Sequence, residues 1–245
     1  MDNVSQKDID WLLNMDKSGI SNLPNASSAP PSPPKKKLGF RILFWFLMVF
    51  GMSVLPFFIL IRTSVFLNLS YDWNGWLALS GGIFATVLFL LFYIFYLFRR
   101  VSNKKMLLRF SLGGVGALVL AFCFYGLMYL SSVNAKSDDI REVYRSMHPI
   151  LRVAVATTTL ADSDLVVTDI QRQPEDYAAM GIPVNQRSLH FPQPTGYVHA
   201  IDLRTIGRNE FRNFILRTSL EFMGLKTIRH VGTADHLHVA LPVSH

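Results

Sequence analysis

Three long runs without an acidic, basic or histidine residue, 42–61, 76–98 and 110–130, constrain this chain more than any other feature. About 20 apolar residues in a helix rise about 30 Å, the thickness of bilayer hydrocarbon, and in hydrocarbon a lone segment satisfies its backbone polar groups only as a helix. The runs therefore read as three transmembrane helices, the first kinked at Pro56. That first run lies too far from the N-terminus, and is too long, to be a cleavable signal peptide. Gly113, Gly114, Gly116 and Ala117 cluster on the third run, where close helix contact needs small side chains. The lack of charge within the runs argues against a proton relay or ion path, and for an anchor.

The net charge of +7 arises wholly before residue 133, because twelve Lys/Arg balance twelve Asp/Glu beyond it. Lys35, Lys36, Lys37 and Arg41 precede the first run, and Arg99, Arg100, Lys104, Lys105 and Arg109 separate the second from the third. The other loop carries only Arg62 and Asp72. By the positive-inside rule the N-terminus and the basic loop are cytoplasmic, so no nucleic-acid partner is needed to explain the charge. Three crossings then place residues 133–245 outside the cytoplasm.

Residues 1–38 form a cytoplasmic tail in two parts. Residues 5–15 read as a short amphipathic helix, with Ser5 as cap, Asp8 three residues on, and Ile9, Leu12 and Leu13 as an apolar stripe. Residues 19–34, rich in Pro, Ser and Asn, cannot pack a core and read as a disordered tether. The wording Ser5-Gln-Lys-Asp-Ile-Asp-Trp-Leu-Leu-Asn14 resembles the N-terminal segment of the flagellar motor switch protein that docks onto a chemotaxis response regulator. That resemblance implies a cytoplasmic protein partner for residues 5–15.

All seven histidines fall at or after His148, so any chemistry is expected in the last third of the chain. Cys123, the only cysteine, lies inside an apolar run, which leaves neither a disulfide framework nor a thiolate metal site. Residues 137–147 and 149–161 read as helices, the second opened by Pro149. Residues 165–170, 197–203, 226–231 and 236–241 read as strands. Between them lie a long Pro-rich loop and a helix over 208–223, whose apolar face is Phe211, Phe214, Ile215, Thr218 and Phe222, stopped by Gly224. The fold class is a membrane protein with three transmembrane α-helices, residues 39–132, plus a C-terminal α+β domain, residues 133–245, with a small antiparallel sheet and flanking helices.

Strand alternation decides which side chains can meet. His236 and His238 share one face, with Leu237 and Val239 on the other; Asp202 shares its face with Ala200 and Val198, while His199 points away. His238 and Asp202 can therefore converge, and His199 cannot join them. His148, His230 and His245 have no placed partner and are expected on the surface.

The run Leu165-Val-Val-Thr-Asp-Ile-Gln-Arg172, then Ser188-x-His190, a glycine, Ala200-x-Asp202-Leu203, a helix and a final Asp235-x-x-His238 resemble the zinc D-alanyl-D-alanine carboxypeptidases and dipeptidases. These share a fold with lysostaphin-type endopeptidases and the hedgehog signalling domain. The resemblance spans roughly residues 150–242 and implies zinc (Zn2+) held by His190, Asp202 and His238, three protein ligands with an open position, as catalytic zinc requires. It implies Asp235 at the position of the general base and Arg172 as the arginine that holds substrate or the developing oxyanion. His236 is a second candidate base, because related peptidases ending in His-x-His place the first histidine in or beside the site. Two features depart from the pattern. Twelve positions separate His190 from Asp202 where the family has seven, so about five residues within 191–197 must loop out, and the base position is Asp rather than Glu.

The expected function is a membrane-anchored zinc metallopeptidase, D,D- or L,D-carboxypeptidase-like, acting on peptidoglycan stem peptides in the periplasm of a bacterium, with the domain facing out from the cytoplasmic membrane. The alternative is a non-catalytic protein that keeps the same domain to bind peptidoglycan or a partner.

Overall fold

The computed structural model describes residues 6, 7, 9–11, 13, 14, 36–179, 181, 183–185, 187–232 and 235–243. The described residues between 6 and 14 are helical; Ser5, Asp8 and Leu12 of the expected cap and stripe, the tether 19–34, and His245 lie outside the described residues. Two compact units divide within the first long helix, residues 1–49 and 50–245.

Helices α1 (Lys36–Ser70), α2 (Gly75–Leu97) and α3 (Lys104–Met128) are each long and apolar enough to cross a membrane. With 35 residues, α1 outruns the apolar run 42–61 by two turns at its C-terminal end and includes Arg62. Nothing in the sequence breaks the helix there, and it stops only at the tight turn after Ser70. That turn is pinned by Asn68, whose Nδ2 donates to the Trp73 carbonyl (2.7 Å), and by Asn74, whose Oδ1 accepts from the Leu77 amide and caps α2 (2.9 Å). Asn103 caps α3 in the same way through the Met106 amide. Lys104 donates to the Phe98 and Arg99 carbonyls and satisfies the end of α2.

Close helix approach falls on other glycines than expected. A Cβ at Gly113, Gly114 or Gly116 would meet nothing within 4 Å, whereas one at Gly126 would come 2.8 Å from the Ala156 Cβ, and one at Gly82 would strike Ser64 and the Leu60 carbonyl. At Gly82 the close neighbour is α1, and at Gly126 it is a segment from the C-terminal part of the chain. Helix α5 (Pro149–Ala161) is buried on all sides from Pro149 to Thr158 and packs on α2 and α3. Tyr144 donates to the Gly126 carbonyl (2.6 Å) and Arg152 to the Leu127 carbonyl (2.8 Å), so α3's last carbonyls are satisfied by that same segment.

Beyond α3 come a 3-10 turn (Ser132–Asn134) and the short α4 (Asp138–Glu142), which runs into a 3-10 turn (Val143–Ser146) where one helix over 137–147 is expected. Strand β1 (Val167–Asp169) follows α5, and α6 (Pro174–Ala179) is one and a half helical turns inside the segment read as loop. Then come β2 (Ala200–Arg204), α7 (Glu210–Phe222), β3 (Lys226–His230) and β4 (His236–Ala240). The sheet is antiparallel in the order β1-β2-β4-β3. Ile201, Leu203, Leu237 and Val239 on one face share a single core with Ile150, Leu151 and Val153 of α5, Leu216 and Leu220 of α7, and Leu60, Ile61 and Val65 of α1. Helices α5 and α7 thus share one core with this sheet face and the first long helix, and the opposite sheet face is turned away from that core.

Helix α7 turns a different face inward than its sequence suggests. Asn213, Leu216 and Leu220 are buried, while Phe211, Phe214, Ile215 and Phe222 are exposed. Asn213 is the reason a polar residue sits inside: its Nδ2 donates to the Thr205 carbonyl and its Oδ1 accepts from Arg208, so no polar atom of the side chain is left unpaired.

Candidate metal centre

Asp202 on β2 and His238 on β4 are direct register partners. Because side chains alternate along a strand, both lie on the face opposite Leu203 and Leu237. The third member comes from the loop between α6 and β2. That loop is fixed by the backbone: the Arg172 amide donates to the His190 carbonyl (3.1 Å), the His199 amide to the Leu189 carbonyl (2.9 Å) and the Leu241 amide to the His199 carbonyl (2.8 Å). Ser188 contributes its hydroxyl oxygen to the His190 amide (3.3 Å), which gives the Ser-x-His spacing a local purpose. The additional residues before Asp202 fold into a turn, with the Gly196 amide on the Gln193 carbonyl (2.8 Å) and Gly196 at φ 79°, a conformation that favours glycine.

His190, Asp202 and His238 come together, their ligand atoms all within 4.8 Å of one another. In the tightest set, His190 Nε2 lies 3.2 Å from His238 Nδ1 and 3.4 Å from Asp202 Oδ1, and His238 Nδ1 lies 2.8 Å from that same oxygen. Tetrahedral bonds of about 2.0–2.2 Å would separate ligand atoms by roughly 3.4 Å, so this triangle fits one small divalent cation. The tautomer of His190 supports the fit. Its Nδ1 is 2.7 Å from the Ile170 carbonyl, which can only accept, so Nδ1 carries the proton and Nε2 turns its lone pair into the triangle.

Asp202 is 3 % exposed and His190 1 % exposed. Burial alone would raise the Asp202 carboxyl pKa, but the imidazoles of His190 and His238 against it hold it below the usual carboxylate range. Its second oxygen accepts from Arg172 Nη2 (2.8 Å), and Arg172 Nε donates to Asp169 (2.5 Å). Arg172 therefore ties β1's end to the centre of the site.

The two candidate bases separate. His236 shares the site face, with Nε2 3.8 Å from Asp202 Oδ2. Asp235 is an odd number of positions from His238 and so points to the other side, where it accepts from Thr205 (2.5 Å) and pairs with Arg229 (2.9 Å). The Arg229 and Thr205 hydrogen bonds hold its carboxyl below the ordinary range. Arg229 also binds Glu210.

Two features escape a reading of single residues. His230 is the register partner of His236, and their rings stack with centroids 4.8 Å apart; hairpin pairing of 226–230 with 236–240 was the available signal. His148 and His199, rings 4.8 Å apart, are buried near Trp76 and Tyr197, with His199 Nε2 2.8 Å from the Thr195 hydroxyl. No sequence pattern connects those two; they meet where the His148 amide donates to the Val198 carbonyl and the Val198 amide to the Ser146 carbonyl.

No protein-family model, curated protein or solved structure matches the chain.

Proposed function

We propose that this protein is a membrane-anchored zinc-dependent peptidase acting on the stem peptides of peptidoglycan outside the cytoplasmic membrane of a bacterium. The observation that carries the reading is the His190 lone pair, fixed by the Ile170 carbonyl and aimed at His238 Nδ1 and Asp202 Oδ1. When bound there, zinc would polarise a peptide carbonyl and acidify water. The chain's own residues supply the rest. His190, Asp202 and His238 would hold the ion, and Arg172 keeps Asp202 oriented and brings a positive charge beside the site for a developing oxyanion. His236, on the same sheet face as the ligands where Asp235 is turned to the other side, is the better placed proton acceptor. The site faces away from the long helices, which favours a polymer over a lipid as substrate.

The test is release of amino acids or peptides from purified peptidoglycan by the full-length protein in detergent, with and without added zinc. Zinc-dependent release that disappears in His190→Ala and His238→Ala is the expected result; no release at any zinc concentration rejects the peptidase. One observation favours the second reading, a non-catalytic peptidoglycan- or partner-binding protein: the family's base position, Asp235, is held on the wrong face by Thr205 and Arg229. Peptidoglycan pull-down without turnover would select that reading.

A further inference from the structure

We infer that α7 lies in the membrane interface, its exposed aromatic face seated among lipid acyl chains of the leaflet on the domain's side. Phe211, Phe214, Ile215 and Phe222 form one stripe at helical spacing, and the three phenylalanines are 68 %, 63 % and 70 % exposed. Four large apolar side chains on one solvent-facing stripe are unusual for a helix whose other side already packs a core, and a patch of this kind marks an interaction surface.

What covers it follows from where α7 sits. The turn that ends α7 presses on α1: a Cβ on Gly224 would come 2.7 Å from Arg62 and 3.0 Å from Val65. Beside it, a mostly apolar cavity of about 470 Å³ is walled on one side by Val54, Phe57 and Phe58 of α1 and on the other by Ile215 and Leu216 of α7 and Met223 just after it, with the paired Arg212 and Asp162 also in its lining. Those α1 residues belong to the uncharged run 42–61, the part of α1 that lies in hydrocarbon if the helix crosses a membrane. A helix that shares a wall with a span at that depth meets lipid on its outer side. The stripe therefore continues the lipid-facing surface of α1, and acyl chains fill the wedge between them. Its polar flank, where Arg217 pairs with Glu221 (2.8 Å), stays at the headgroups or in water. This placement does not depend on the metal site or on catalysis.

The experiment uses the full-length Cys123→Ala protein in liposomes of phosphatidylcholine and phosphatidylglycerol, carrying a nitroxide at Phe214→Cys, Phe222→Cys or Arg217→Cys. Collision with oxygen, which concentrates in hydrocarbon, is compared with collision with a water-soluble nickel chelate. The expected result is an oxygen-to-nickel ratio several-fold higher at 214 and 222 than at 217. Ratios at 214 and 222 equal to that at 217 place the face in water and overturn the inference. Shielding of 214 and 222 from both reagents shows a protein cover, a second copy or another partner, and overturns it equally.

Discussion

Asp202 and His238 stand opposite each other on β2 and β4, and the hydrogen bond between their side chains, 2.8 Å from Nδ1 to Oδ1, joins the two central strands on the sheet face turned away from the core. The same two atoms form one edge of the ligand triangle. Sheet register and the geometry of the candidate cation site are thus a single feature, and a change in either residue acts on both.

The first prediction is about metal. Zinc added to the metal-free, full-length protein at 100 times its dissociation constant should stabilise the fold by about 2.7 kcal/mol, read as a rise in melting midpoint. His190→Ala and His238→Ala should abolish that rise, each losing more than the roughly 10–100-fold in affinity that an outer partner costs. An unchanged zinc response in both variants would mean that the ion binds elsewhere.

Removal of Arg172 tests the electrostatics. Asp202 is almost fully buried, and its outer oxygen has Arg172 as its charged partner. Arg172→Ala should cost about 3 kcal/mol in the metal-free protein, the low end for breaking a buried pair because Arg172 is itself partly exposed, since a buried carboxylate loses its counter-charge. Zinc should then stabilise the variant by more than it stabilises the parent, since the ion replaces the missing charge. Equal zinc shifts in parent and variant would show that Arg172 does not neutralise Asp202.

How much of this was open to a reader of the sequence is clear from particular residues. The meeting of Asp202 and His238 was legible, because alternation with period two fixes which strand residues share a face. His190 is legible only through a resemblance, as a loop residue has no period. The inward face of α7 was not legible: hydrophobic spacing points to Phe211, Phe214 and Phe222, but the core side is set by where Asn213 finds its hydrogen bonds with Thr205 and Arg208. Nor could sequence show that α5, with no charged residue but Arg152, would pack against Gly126 and join the long helices to the sheet.

Catalytic roles can be divided by two substitutions. If the protein hydrolyses peptide, His236→Ala should lower the rate by roughly 10²–10⁴ with zinc content unchanged, the usual effect of losing a general base. Asp235→Asn should instead lower the melting midpoint, because it weakens the network with Arg229 and Thr205, and leave the rate within a few-fold. A full loss of rate in Asp235→Asn at unchanged stability would reverse the assignment.

The last prediction is a pH dependence that arises away from the metal site. Burial, then the charges of His199 and Arg152, depress the pKa of His148 to about 3, and burial depresses that of His199 to about 4. Both are held neutral in the fold but titrate near pH 6.5 when unfolded. A depressed folded pKa means that the unfolded chain binds the extra protons, so stability is full above about pH 6.5 and declines as pH falls toward 4. At pH 4.5 the loss should be of order 2 kcal/mol per histidine. Asp202, held below the ordinary carboxylate range, contributes stability above its unfolded pKa and loses it only on further acidification, so it does not account for a change between pH 6.5 and 4.5. Melting of the metal-free protein at pH 7.5, 5.5 and 4.5 checks this. The midpoint should fall across the series, and His148→Phe should flatten the slope by about half; a parent midpoint that does not move between pH 7.5 and 4.5 would show that these two rings accept protons without unfolding.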